Sequence, residues 1–132
     1  MTTNGTAEIG FVIIGRNEGA RLDGCITSVL KQAELIVYVD SGSTDGSVAL
    51  AARRGIAVVE LDPTIPFTAA RARNAGLAQL QRQCPGLEYV HFIDGDCELI
   101  AGWLLKALAA IKSDPRLAVV CGRRRERWPR AS

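Results

Sequence analysis

The sequence predicts an α/β fold built on an open, mostly parallel sheet with helices on both faces. Short and nearly continuous apolar runs recur at Ile9–Ile14, Leu35–Val39, Ala57–Leu61, Tyr89–Ile93 and Leu117–Cys121, which is how strands buried on both faces of a parallel sheet read. Segments with helical apolar spacing lie between them, and a polar cluster follows each of the first, second and fourth runs. A βαβαβαβαβ order of this kind implies a doubly wound sheet with right-handed crossovers.

The elements follow in order. After the first strand, Leu22, Cys25, Ile26, Val29 and Leu30 fall on one helical face, because they recur at i, i+3, i+4, i+7 and i+8. The second helix is predicted to start near Ser43 or Thr44, either of which can cap it, and to run through Val48, Ala49 and Ala52 toward Gly55. A third helix spans about Thr68 to Gln81 and a fourth about Ala101 to Ser113, with Leu104, Ala107, Leu108 and Ile111 on one face. The fifth apolar run is expected to close the sheet.

With 132 residues the length is that of one domain, and 48% hydrophobic against 23% charged residues is a globular composition. No apolar run approaches the ~20 residues needed to span a bilayer. Met1–Gly10 has neither a basic start nor a long apolar core, so no signal peptide is predicted and the expected address is cytoplasmic. Cys25, Cys84, Cys97 and Cys121 form no zinc-ligand spacing and read as reduced structural thiols. Residues 123–130 carry five Arg and one Glu, a local +4 within a net +2. No aromatic-interleaved basic face accompanies that run, so nucleic acid is not expected as a partner.

The polar clusters are Gly15-Arg16-Asn17-Glu18, Asp40-Ser41-Gly42-Ser43-Thr44-Asp45 and Asp94-Gly95-Asp96. All three fall at strand carboxyl ends, the edge where open α/β sheets bind ligands. Two carboxylates at i and i+2 of an extended chain lie on one side, roughly 7 Å apart. Hard oxygen donors of this kind suit Mg²⁺ or Mn²⁺ shared with substrate phosphates. Taken alone, Asp-Gly-Asp is more often a polar turn; three clusters at one rim favour a site. His91 inside an apolar strand reads as a core residue, and Trp103 as packing.

Four segments then resemble one family. Asn17-Glu18 after the first strand, Val39-Asp40-Ser41-Gly42-Ser43-Thr44-Asp45-Gly46, Ala72-Arg73-Asn74-Ala75-Gly76 and Phe92-Ile93-Asp94-Gly95-Asp96 match, in order and spacing, the nucleotide-binding half of family 2 glycosyltransferases of the Rossmann-like GT-A fold. The resemblance implies that Asp40 meets the nucleobase, where many relatives have a second Asp at the position of Ser41. It also implies that Asn17 and Glu18 lie near base and ribose. Arg73 and Asn74 would lie near the donor diphosphate or sugar, with Arg71 a competitor for the phosphate contact. Asp94 would contact ribose or sugar hydroxyls, and Asp96, with Asp94, would hold Mn²⁺ or Mg²⁺.

The implied reaction is inverting, metal-dependent transfer of a sugar from a nucleoside-diphosphate sugar, UDP-linked by expectation, to an acceptor hydroxyl on a glycan, a lipid or a small molecule. Residues 1–132 then correspond to the donor portion of a truncated GT-A domain whose acceptor half is absent, a cytoplasmic chain that has room for peripheral contact with a membrane face. The general base of an inverting transfer is not visible, since neither Glu98 nor Glu126 falls in a matching motif. The alternative is a catalytically incomplete nucleotide-binding or regulatory module. A receiver-type phosphorylation pocket lacks a lysine near the acidic pair, and a nucleotidylyltransferase lacks its Gly- and Arg-rich loop within Gly15–Arg21.

Overall fold

The computed structural model describes residues 9–126. Its elements are β1 (Ile9–Gly15), α1 (Ala20–Leu30), β2 (Ile36–Asp40), α2 (Ser47–Arg53), β3 (Ala57–Glu60), α3 (Ala69–Gln83), β4 (Tyr89–Asp94) and α4 (Trp103–Lys112). The chain divides into two compact units, Met1–Leu99 and Ile100–Ser132. The first holds the sheet and its three covering helices.

Four parallel strands form the sheet in the order β3-β2-β1-β4. Successive strands step one way from β1 to β3, and β4 then returns to the other side of β1. The direction of winding therefore reverses between β1 and β4, which creates a crevice at their carboxyl ends.

Alternation along the strands supplies two cores. Val12, Val37 and Val39 point to one side and pack with Leu61 and with Ala72 and Leu80 of α3. Phe11, Ile13 and Tyr38, one residue out of phase, are fully buried on the other side. Leu22, Cys25, Ile26 and Val29 of α1 are equally buried and supply the layer that covers it. The doubly wound α/β class expected from the apolar runs is the one observed.

Gly76 fixes how closely α3 lies on its face. A Cβ at that position would overlap Val12 and stand 3.1 Å from Val39 Cγ2. On the opposite face, His91 is the register partner of Phe11 and stacks on it with ring centroids 4.6 Å apart. Burial pushes its pKa down. The histidine is half-buried and packs on the core rather than being enclosed by it.

Two expectations are corrected. Leu117–Cys121 forms no strand, for a strand exists only as one side of a ladder and this segment has no ladder partner among the described residues. Leu117 is 44% exposed and Val119 72%, and the backbone N–H of Leu117 closes a turn on the Asp114 carbonyl instead. The second helix begins at Ser47, not at Ser43 or Thr44, because those two residues spend their polar groups on the loop described below. In the second unit, Trp103 opens α4 and its ring lies against Gly122, a packing role.

Replacing Gly76 with Ala should lower unfolding free energy by about 1–3 kcal/mol, read as a lower urea midpoint at unchanged slope. His91 gives a pH dependence of known sign. Its folded pKa lies below the ordinary value near 6.5, so the unfolded chain binds more protons and stability falls as pH drops through about 6.5. Urea midpoints at about pH 7.5 and pH 5 should differ in that direction, and His91→Phe, which keeps the stack on Phe11, should shrink the difference.

Candidate functional site

The strand order brings three loops to one rim. A cleft of about 340 Å³ opens there, lined by residues of β1 and its loop, by Ser41 after β2, by Phe67 to Ala69 with Ala72 and Arg73 of α3, and by Asp94 and Asp96. That volume is at the lower end of the range for small-molecule sites.

Asp94 and Asp96 both face the cleft. The turn that carries them is pinned to β1, because Gly95 N–H donates to the Ile14 carbonyl at 2.7 Å. A Cβ on Gly95 would stand 3.2 Å from that oxygen and 3.3 Å from Glu18 Cγ. Glycine separates the aspartates because the backbone passes too close to β1 for a side chain. The Cys97 backbone N–H closes the turn on the Asp94 carbonyl at 2.9 Å, and the Cys25 thiol donates to the same oxygen at 3.7 Å. Burial pushes that thiol's pKa up to about 12, which makes Cys25 an inert packing group.

Glu18 lines the same cleft. Its Oε2 is ion-paired with Arg21 at 3.3 Å but is buried without a hydrogen bond. Burial raises the pKa of this carboxyl, Arg21 opposes the rise, and the charges of Asp96 and Asp94 add to it. Glu18 thus lies within the field of the acidic pair. Among the described residues, however, no group of three His, Cys, Asp or Glu side chains is arranged to hold a metal ion. A cation here would need further oxygen donors from a ligand.

Arg73 reaches across from α3 and pairs with Asp94 at 3.4 Å, with 41% and 56% of the two side chains exposed. A pair this exposed is worth little in stability, so Arg73 can exchange its partner cheaply. Asn74, one residue on, is exposed and outside the cleft, because successive helical residues point about 100° apart. Arg71 is committed elsewhere: its guanidinium donates to the carbonyls of Asp62 and Ile65 at 3.1 and 2.9 Å and clamps the β3–α3 loop.

Asp40 occupies a different place from the one expected of it. It is 2% exposed, and both its oxygens are taken. Oδ1 accepts from Tyr38 Oη at 2.6 Å and from Ser43 Oγ at 2.5 Å, and Oδ2 accepts from the Ser43 N–H at 2.8 Å. Burial and the bond to Asp40 both push the Tyr38 phenol pKa up. Asp40 shares the parity of Tyr38 and so turns into the layer beneath the rim; Ser41, of opposite parity, faces the cleft.

Asn17 also has a structural task. At φ 53 it adopts the left-handed conformation that Asn tolerates better than most residues. Its Oδ1 accepts from the N–H groups of Thr44 and Asp45 at 2.7 and 3.3 Å, and its own N–H donates to Ser43 Oγ at 2.9 Å. Asp45 returns the connection by accepting from Gly19 N–H at 3.1 Å. These bonds staple the β1–α1 loop to the β2–α2 loop, and Asn17 itself is not among the cleft-lining residues.

Arg16, Ser41, Phe67, Thr68 and Ala69 line the cleft without having been singled out from the sequence. Arg16 and Ser41 stand inside the polar clusters that mark the strand ends. Phe67 and the first turn of α3 carry no such signal.

The fold and the rim define a class: an open parallel α/β domain whose carboxyl-edge cleft sets an acidic pair at the β4 tip against an arginine from α3. Residues 11–131 match the model of glycosyl transferase family 2. The chain belongs to that family. It is also similar to a TPR repeat-containing protein of Synechococcus elongatus, 30% identical over 94 residues, which are 71% of this chain and 22% of that protein. The chain therefore spans about a fifth of the length of that relative.

Asn17→Ala should cost about 0.5–1.5 kcal/mol of stability, since it removes the acceptor of two exposed loop N–H groups and alanine tolerates positive φ less well than asparagine. Asn17→Asp, which keeps the acceptor, should retain most of it, as thermal melts of the three chains would report.

Proposed function

We propose that this chain is the donor-binding portion of a glycosyltransferase that moves a sugar from a nucleoside-diphosphate sugar to an acceptor hydroxyl with inversion, dependent on Mn²⁺ or Mg²⁺. The observation that carries the reading is the meeting of Asp94, Asp96 and Arg73 at the point where the sheet's winding reverses. Family membership supports it.

A diphosphate needs positive charge along its length, and Arg73 can give a bidentate contact to phosphate oxygens once it leaves Asp94. The first turn of α3, entered through the Thr68 cap, lines the same wall and favours negative charge. Asp96 and Asp94 are the residues that would hold a divalent ion. Their hard, exposed oxygens fit such an ion in chemistry, and the phosphates complete a donor set that the protein does not fill alone. A bound ion would supply Lewis-acid stabilisation of the departing diphosphate. Glu18 adds a third negative group beside the pair, whose repulsion a cation would relieve.

The proton of the attacking hydroxyl needs a base. The cleft's carboxylates are Glu18, Asp94 and Asp96, all assigned here to the donor side. Glu98 directs its carboxylate toward Gly24 of α1, away from this role. We place the base and the binding of the acceptor, a glycan, a lipid or a small molecule, outside this cleft. Among the described residues no helix is long and apolar enough to cross a membrane; a cytoplasmic setting remains part of the proposal.

Calorimetric titration with UDP in Mn²⁺ tests the reading. Asp96→Ala should weaken UDP binding at least about tenfold in Mn²⁺ and change nothing in chelator, while the melting temperature stays put because Asp96 is exposed. Equal affinity of the two chains in Mn²⁺ would refute the assignment.

A further inference from the structure

Charge divides the chain along the boundary between its two units. Residues 1–99 carry twelve Asp and Glu against eight Lys and Arg, a net −4, whereas residues 100–132 carry two against eight, a net +6. Apolar exposure is concentrated in the same second unit. It holds less than a quarter of the described residues but four of their seven exposed large apolar side chains: Ile100 at 62%, Leu105 at 77%, Leu117 and Val119. Single exposed apolar residues need no explanation. Here four fall within twenty residues, interleaved with Lys106, Lys112 and Arg116.

Helix α4 shows how the two properties combine. Leu104 is buried, while Leu105, Ala109 and Lys112, at i, i+4 and i+7, form one exposed stripe with Lys106 at its start. A leucine is therefore held outward between two lysines. The unit's own carboxylates do not offset the positive excess: Asp114 pairs with Arg116 at 2.9 Å and Glu126 with Arg124 at 3.8 Å. Every other charged side chain in the described part of the unit is a cation.

We propose that the second unit docks on an anionic lipid surface, its cations meeting lipid phosphates and its outward aliphatic side chains, Leu105 first among them, entering the headgroup layer. Charge complementarity sets the sign of the partner. Its form follows from the pattern, because cations spread along a helix, a turn and the run at 123–125, with aliphatic groups between them, suit a charged plane that has acyl chains beneath it. A soluble acidic protein would satisfy the cations and offer the leucine nothing to enter. The inference is independent of the donor-site reading, and its failure would leave that reading untouched.

Co-sedimentation of the full chain with lipid vesicles is the test. Vesicles of phosphatidylcholine with about 30 mol% phosphatidylglycerol should bind the chain at least about tenfold more tightly than phosphatidylcholine alone. Leu105→Gln, which alters no charge, should weaken that binding about fivefold. Lys106→Gln combined with Arg123→Gln and Arg125→Gln should weaken it at least about tenfold. All four positions are exposed, so melting temperatures should stay put. Equal binding to both kinds of vesicle would overturn the inference, as would indifference to the triple change. Full binding by Leu105→Gln would reduce the contact to adsorption of charge and would also overturn it. Poly-glutamate bound as tightly as the anionic vesicles would assign the face to an acidic protein instead. A chain that ignores vesicles but runs on size exclusion as a dimer, which Leu105→Gln returns to monomer, would assign it to a second copy and reject the lipid.

Discussion

Close approach of α3 to the sheet, permitted by the missing side chain at Gly76, is the constraint on which the site depends. Gly76 touches Val12 and Val39, and one turn earlier on the same helix Arg73 reaches the rim and Ala72 forms part of the cleft wall. Lifting the helix by the thickness of a methyl group would withdraw Arg73 from Asp94 and open the apolar seam around Val12, Leu80 and Ala72. Packing density and ligand geometry are therefore set by one contact, since a close-packed interior passes a local displacement on.

The rim has its own frame. Asn17, Ser43, Thr44, Asp45 and Gly19 bind the first two loops to each other, and Gly95 binds the third to β1 through the Ile14 carbonyl. Loops tied in this way cost little further ordering when a ligand arrives. The polar residues that face the cleft stand on that frame without being part of it: Arg16, Ser41 and Arg73 are free of the staple, and Asp94 contributes only its backbone carbonyl to the turn.

Much of the fold was legible because β1 and β2 are buried on both faces and the half-buried edge strands β3 and β4 are still apolar runs, with helical spacing between them. Leu117–Cys121 misled because an apolar run states burial preference and not the presence of a partner strand. In the site, Asp94, Asp96, Glu18 and Arg73 were legible as charged groups at strand ends or on a matching helix. Asp40 and Ser41 were harder, since neighbouring residues point to opposite sides and only the buried Tyr38 two positions earlier tells which is which. Asn74 lost its place to helical geometry, and Asn17 to the left-handed turn that aims its amide at a neighbouring loop. Phe67 was invisible, because its ring is seated against Gly42, which is far from it in sequence.

At the end of β2 the protein separates what must stay from what can change. Position 40 is locked by a phenol, a hydroxyl and an amide, so altering it would damage the scaffold before it altered any preference. Position 41 touches the cleft and supports nothing. Drift at that one serine would change the lining of the cleft and leave the architecture intact, which makes it, on the donor reading proposed above, the natural place to begin an engineered change of ligand.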